Sequence, residues 1–401
     1  MSISTFAEFI APVSESEFFD RYWNRSSVLI RGSAEKCSGT FSWAELNRLL
    51  CEHRLTPQQV RLSHHDKSSD ELAFISQRPS ITGRQIYQID LTLLYSLIKD
   101  GASLVLDAVD EMSGPVREMC EVLGRKLECQ FSTNAYATWG DTPGFGLHWD
   151  DHDLFVFQIS GRKRWKLYQP TRHFPLPRDV EGNYPPTDKQ LVWDEVLNPG
   201  DVVYIPRGHW HDVRGLNEPT LHLTCGFANP NGIDFLGWIV DELRDNPVIR
   251  SDLPRFKSSA ERLEHVRRVR HAVVQKMQDE ALNEFDEYHR AKNQARTYPS
   301  FPIAIEGLGK VKDASIRLTS ISSSKLINVK PHTLMFRCSG KEVEFAKEAE
   351  PLLRKIMRGD PCRLSDLIAD CEGHLDELAV KQIIEVLMSH ALIQVYDAIM
   401  A

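Results

Sequence analysis

Hydrophobic positions change period several times along the chain, and the changes mark out its elements. Phe6, Phe9, Phe18, Phe19, Tyr22 and Trp23 precede an apolar run at Val28–Arg31 that predicts a first strand. Ser42 followed by Glu45 spells a capping box and predicts a helix through Leu50. The polar stretch Ser63–Asp70 predicts a loop. Its adjacent His64 and His65 face opposite ways on extended chain, so they read as solvated residues rather than a metal pair. A short helix at Leu91–Ile98, a buried strand at Ser103–Val109 and an amphipathic helix at Val116–Leu127 follow. From Cys129 to Trp139 polar and apolar residues alternate, which places Asn134, Tyr136 and Thr138 on one face of a half-buried strand. Further strands are predicted at Leu154–Ile159, before Pro206, and at Leu221–Phe227, with a polar, Pro-rich loop at Pro170–Gln190. Short strands with Gly/Pro turns and few helices over this central region predict an antiparallel barrel or sandwich.

The pattern changes near Asp245. Ser258 and Glu261 form a second capping box, opening one long helix whose stripe is Leu263, Val266, Val269, Val273, Met277, Ala281 and Phe285. That stripe must pack somewhere, and a partner subunit is one option. Arg262, Arg267, Arg268 and Arg270 read as a solvated helix face interleaved with Glu264 and His271, in preference to a nucleic-acid patch. Residues 300–340 predict short strands, with a flexible polar turn at Thr319–Ser324. Then come a helix at Glu344–Arg358, a short helix after Ser365, a helix at Glu377–His390 and a strand at Leu392–Val395, an order that suggests a winged-helix-like module. Residues 341–401 carry 7 Lys/Arg against 12 Asp/Glu, a net −5, the wrong sign for reading DNA, so a structural or protein-contact role is expected.

Composition narrows the class. A chain of 401 residues calls for two or three domains, and 42% apolar with 26% charged residues reads as soluble and globular. A net charge of −8 gives no general attraction to phosphate backbones or anionic lipid. No apolar run approaches membrane-spanning length, and acidic residues stand where a signal peptide is basic. Eight cysteines without a C-x-x-C pair argue against a disulfide frame or zinc finger, so a reducing cytoplasm is expected.

The candidate chemistry lies in two central segments. His148 and Asp150 are two residues apart, and on a strand they would share a face and converge on one metal ion. Gly200, Pro206 and Gly208 lead into His211, which supplies a third ligand just past a tight turn. His209 is the competitor at that position, because residues two apart face alike. H-x-D alone is weak and a core histidine is its default reading. Together with the apolar strand, Gly161–Trp165 and the Pro-Gly-His segment, it favours metal binding. Two histidines and a carboxylate with open positions is the site type of non-haem Fe(II) oxygenases. Asp151, His152 and Asp153 are expected around the site rather than on the metal. Lys163 offers a compact charge for an anionic ligand; the competing reading is an exposed lysine in the basic run Arg162–Arg164.

These segments, with Asn134 and Tyr136, resemble the JmjC-type cupin oxygenases, and most closely the ribosomal oxygenases, which hydroxylate side chains of ribosomal proteins. The resemblance covers nearly the whole chain. It implies an α+β fold: a double-stranded β-helix (cupin/JmjC) catalytic domain over residues 1–240, a helical dimerisation segment over 241–300 and a winged-helix-like domain over 301–401. It also implies Fe(II) held by His148, Asp150 and His211, with 2-oxoglutarate and O2 as co-substrates. Lys163 would pair with the far carboxylate of 2-oxoglutarate, with Tyr136, Asn134 and Thr224 hydrogen-bonding around it. The implied product is a hydroxylated Arg or His of a protein substrate, made by a cytoplasmic homodimer that binds neither nucleic acid nor membrane. Two alternatives stay open: a hydroxylase of a peptide natural product or amino acid, and a metal-binding cupin without turnover.

Overall fold

The computed structural model describes residues 3–64, 66–177, 179, 186–187, 190–292, 298–320 and 324–400. His65, part of the Pro170–Gln190 loop and the centre of the Thr319–Ser324 turn lie outside the described residues. The chain divides into two compact units, Met1–Asn229 and Pro230–Ala401.

Strands of the first unit are β1 (Val28–Ile30), β2 (Val60–Ser63), β3 (Ile75–Pro79), β4 (Gln85–Ile89), β5 (Ser103–Leu106), β6 (Phe131–Thr138), β7 (Asp153–Ser160), β8 (Lys163–Tyr168), β9 (Leu191–Leu197), β10 (Val202–Ile205), β11 (His211–Gly215) and β12 (Thr220–Phe227). Seven of them form one antiparallel sheet in the order β1-β10-β7-β12-β6-β5-β2. A second sheet, β11-β8-β9, lies against it, and β3-β4 is a separate hairpin.

The burial of β7 explains why its sequence does not alternate. Leu154 and Val156 point between the two sheets, into a core with Trp165, Leu167, Leu197, Val203 and Ile205. Phe155 and Phe157 point the other way, into a larger core that the N-terminal helices close. A strand covered on both faces must be apolar throughout. The early aromatics supply that outer cover: Phe155 has ring contacts with Phe6, Phe9, Phe18, Tyr204 and Phe227 at 5.3–6.3 Å.

Two boundaries in this unit need correction. The strand expected at Ser103–Val109 stops at Leu106, because Ala108 takes a left-handed conformation (φ 53°) and caps a short helix, Val109–Met112. Ser42 accepts from the Glu45 N–H as a cap should, but the Glu45 carboxylate turns to Arg48 instead of closing the box.

In the second unit the single long helix breaks into Ser259–Lys276 and Ala281–Lys292. Beyond the break, Ala281 and Phe285 pack on Trp238, Ile239 and Leu243 from the helix Gly232–Glu242 and its end. Leu263 and Val266 on the first piece stay exposed. Strands β13 (Val311–Leu318), β14 (Lys325–Lys330), β15 (Thr333–Cys338), β16 (Lys341–Ala346), β17 (Cys362–Arg363) and β18 (Ile393–Met400) form two sheets, β14-β15-β16 and β17-β13-β18. The helix expected from Glu344 begins instead at Glu350, because Val343 and Phe345 alternate into the core and keep β16 extended through Ala346. Helices Leu364–Asp370 and Glu377–Ser389 follow, and the last strand runs past Val395 to Met400. Among the described residues, no helix is long and apolar enough to cross a membrane.

Phe155 is the hub of the outer core. Phe155→Ala is expected to destabilise the first unit by about 3–5 kcal/mol, read from the midpoint of denaturant unfolding followed by near-UV aromatic signal. A loss below about 1 kcal/mol would mean the cluster is not packed as described.

Candidate metal centre

The segments carrying His148 and His211 meet through their backbones. The His148 N–H donates to the His211 carbonyl at 3.2 Å, and the His211 N–H donates back to His148 at 2.8 Å. The Gly208 N–H donates to the Asp150 carbonyl at 2.9 Å, and the Arg207 N–H donates to an Asp153 carboxylate oxygen at 3.0 Å. His148 therefore sits on an isolated bridge ahead of β7, not within a strand, and strand alternation is not what aims it and Asp150 together. The Pro-Gly turn does what its composition suggests. Gly208 has φ +86°, and a Cβ there would lie 2.8 Å from the Arg172 carbonyl and from Pro175.

One ligand atom from each of His148, Asp150 and His211 can be chosen so that all lie within 4.8 Å of one another. His211 Nε2 is 3.5 Å from Asp150 Oδ2, and the two imidazole centroids are 4.2 Å apart. Nδ1 of His148 lies 2.9 Å from the Gly146 carbonyl, and Nδ1 of His211 lies 3.2 Å from the His209 carbonyl. A carbonyl only accepts, so each Nδ1 carries the proton and each Nε2 keeps a lone pair for a metal. Burial, then the neighbouring His148, push the His211 imidazole down to about 4, so it is neutral, as a ligand must be. The donor set therefore fits a divalent ion of the iron type. His209 does not join the cluster; it is buried with Nδ1 on the Pro206 carbonyl at 3.0 Å.

Asp153 is a framework residue. Its buried carboxylate accepts from the Tyr204 hydroxyl at 2.9 Å, the Asn229 amide at 3.1 Å and the Arg207 N–H, and so pins the turn ahead of His211. Asp151 and His152 pair with each other at 2.9 Å on the partly exposed side.

Lys163 points inward. On β8 the residues alternate, so Lys163, Trp165 and Leu167 face the barrel while Arg164 turns out to Asp194 and Arg162 pairs with Glu218. Lys163 is only 4% exposed, which overturns its reading as a solvated member of a basic run. Its Nζ lies 3.1 Å from Thr138 Oγ1 and 3.3 Å from His222 Nδ1, and among the described residues no carboxylate pairs with it. Burial alone pulls its pKa from 10.5 to about 7.

The other candidate residues lie on neighbouring strands. Tyr136 is half-buried, its phenol pKa raised by desolvation, and its ring stacks on His222 at 4.8 Å with 6° between planes. Asn134 accepts from the Ala108 N–H at 3.0 Å and sits against the Tyr136 hydroxyl. Thr224 is paired with Asn134 in the β12–β6 register, two residues beyond His222. His222 and Trp165 were not singled out by the sequence reading. The signal for His222 was its alternation with Thr224 on one face of β12, opposite Tyr136.

Residues 113–235 match the JmjC domain family. Over nearly the whole chain the fold is similar to that of YcfD, a ribosomal oxygenase from Escherichia coli. The TM-score is 0.56 at 16% identity, covering 96% of this chain and 98% of that one. Another structure of YcfD, in complex with cobalt and 2-oxoglutarate, matches with a TM-score of 0.55 at 17% identity over the same shares. By sequence the chain is similar to the bifunctional lysine-specific demethylase and histidyl-hydroxylase NO66. It is 31% identical to the Drosophila melanogaster protein over 223 residues (53% of this chain, 32% of the relative), and 39% identical to the Brugia malayi protein over 168 residues (39% and 24%). The matched region thus spans a third or less of these relatives' length.

A buried lysine without a counter-charge makes a stability prediction that needs no ligand. Its folded pKa lies below its unfolded one, so folding must expel a proton or bury a charge. The penalty is fully present below about 7 and fades as pH rises to 10.5. Lys163→Met is therefore expected to stabilise the metal-free protein at neutral pH by up to a few kcal/mol, an advantage that shrinks toward about pH 10. Urea unfolding at several pH values measures it; a destabilised variant at neutral pH would show that the ammonium is compensated.

Proposed function

We propose that the chain is an Fe(II)- and 2-oxoglutarate-dependent oxygenase that hydroxylates a side chain of a ribosomal protein. The observation that carries this reading is a buried lysine with no carboxylate among its described neighbours, in the same barrel as two histidines and an aspartate poised for one metal ion. An ammonium held away from water calls for an anion. His148, Asp150 and His211 would hold iron, a donor set that would keep the metal open to a 2-oxo acid and to oxygen chemistry. Lys163 would take the far carboxylate, with Tyr136, Asn134 and Thr224 lining the space between. Bound there, iron and 2-oxoglutarate supply the oxidising power: 2-oxoglutarate, O2 and a C–H bond become succinate, CO2 and a hydroxyl group.

The chain's own part is to bind, orient and exclude. Neutral imidazoles and one carboxylate leave the bound ion a net positive charge that suits an anionic chelator. Trp165, packed at 5.8 Å on His211, walls the ligand set off from the apolar core. The half-exposed Phe145, 5.9 Å from His148 and 6.1 Å from Tyr136, lies on the open side, where a substrate side chain would enter. The relatives' names, ribosomal oxygenase and histidyl-hydroxylase, support a histidine of a ribosomal protein as the target.

The second unit fits a dimerisation and contact role within this proposal. Helix Ser259–Lys276 buries none of its residues and leaves Leu263, Val266 and Val274 exposed, as a face awaiting a second copy would. The C-terminal helices with the β17-β13-β18 sheet have the make-up of a winged helix, and the acidic balance of this region suits protein contact over nucleic acid.

Two measurements test the proposal. The full chain with Fe(II) and 2-oxoglutarate should release succinate and add about 16 Da to a ribosomal protein, and His211→Ala should lose both. Iron binding without any 2-oxoglutarate turnover on ribosomal extracts would end the oxygenase reading. Separately, Leu263→Glu with Val266→Glu should convert a dimer to a monomer in sedimentation; an unchanged mass would remove that helix from the interface.

A further inference from the structure

His222 has no assigned task, yet it is enclosed on every side that the barrel offers a ring. It is 3% exposed, and it stands opposite Tyr136 in the β12–β6 register, which brings the two rings into a parallel stack at 4.8 Å. Trp165 meets it edge-on at 5.7 Å. Both rings sit on sheet strands, so the imidazole cannot swing. Its Nδ1 faces Lys163 Nζ at 3.3 Å.

A lysine ammonium has three N–H donors and no lone pair. Facing it, the nitrogen of His222 can only accept, which makes Nε2 the protonated nitrogen and the ring neutral. Burial and the lysine charge both hold the imidazole well below its ordinary range, in agreement with a neutral ring. A second Lys163 donor goes to Thr138 Oγ1 at 3.1 Å, and that hydroxyl is itself paired with Ser103 Oγ at 2.9 Å. Two donors of three are thus committed to groups fixed on β6 and β12. One remains.

We propose that His222 is a positioning residue: clamped between Tyr136 and Trp165, it accepts one N–H of Lys163 and, with Thr138, leaves a single ammonium donor aimed at the far carboxylate of the co-substrate. The inference rests on the oxygenase reading above. An untethered lysine could follow a ligand of any length along its four-carbon stem, whereas a lysine held at two points presents its charge at one distance from the metal. His222 therefore acts on affinity for the dicarboxylate and on discrimination by chain length, and it acts through Lys163 without touching iron.

The test uses the full chain, anaerobically, with Fe(II) and two ligands read by the charge-transfer absorption of the complex: 2-oxoglutarate, and pyruvate, which lacks the far carboxylate. His222→Phe keeps a ring against Tyr136 and removes the acceptor. His222→Asn restores an acceptor without the ring. The expected result for His222→Phe is roughly 10- to 100-fold weaker 2-oxoglutarate binding, the range typical of lost outer-shell partners, with pyruvate and Fe(II) affinities unchanged. His222→Asn should recover most of the loss. Equal weakening of both ligands would make His222 a packing residue and overturn the proposal, as would wild-type affinity in His222→Phe. If the wild type gives no 2-oxoglutarate band, the oxygenase reading itself fails; a wild-type band with an indifferent His222→Phe removes only this inference. Should His222→Phe not fold, the imidazole 15N spectrum of the Zn(II)-loaded wild type decides. An unprotonated Nδ1 across about pH 6 to about pH 8 supports the proposal, and a protonated Nδ1 overturns it.

Discussion

The backbone hydrogen bonds between residues 148–150 and 208–211, with the Arg207 N–H on Asp153, are what turn three distant side chains into one centre. Of the three ligands only His211 stands in a strand, at the first position of β11, while no ladder holds the segment of His148 and Asp150 in register. The two segments fix each other, together with a buried carboxylate that takes three hydrogen bonds at once. Removing water from such groups costs free energy unless they are paired, and the bridging backbone groups and the Asp153 carboxylate are. The rest of the barrel can be read as support for this junction. Phe155 and Phe157 anchor β7 behind it, and Tyr204 carries the hydroxyl that holds Asp153.

Much of this could be read from the sequence because it follows simple periodicities. Alternation along β6 puts Asn134 and Tyr136 on one face, and alternation along β8 separates Lys163 from the arginines on either side of it. Pro206 and Gly208 mark the turn before His211 for reasons of φ alone. Periodicity is silent where geometry is set by partners far away in the chain. His148 and Asp150 converge through a bridge to His211, a contact that spacing cannot express. His222 was passed over because a lone histidine in an apolar strand reads as core until the stacked rings on either side are known.

The second unit shows the same limit from another direction. The apolar stripe from Leu263 to Phe285 keeps helical spacing throughout, so it predicts one helix. Packing overrides it. Phe285 finds Phe235 at 5.4 Å and Trp238 at 5.9 Å, which requires the chain to turn after Met277. Propensity cannot resist, since Met277–Glu280 contains no strong end signal of either kind. In β16, likewise, a helix-forming run of Glu, Lys and Ala is held extended by Val343 and Phe345.

The cost of Lys163 and the value of the metal cluster have to be weighed together. A protein selected for stability alone would place methionine or leucine among Trp165, Thr138 and His222, because an ammonium out of water with no counter-charge opposes folding. Surface lysines carry no such cost, and Arg162 and Arg164 on either side show that the strand had charged positions available facing outward. A group that opposes folding and persists inside a barrel is explained by what it binds. The same reasoning does not apply to Asp153, which is equally buried but fully hydrogen-bonded, and so is explained by the turn it holds. Burial alone therefore does not separate binding residues from framework here. What separates them is whether the protein itself supplies the partner.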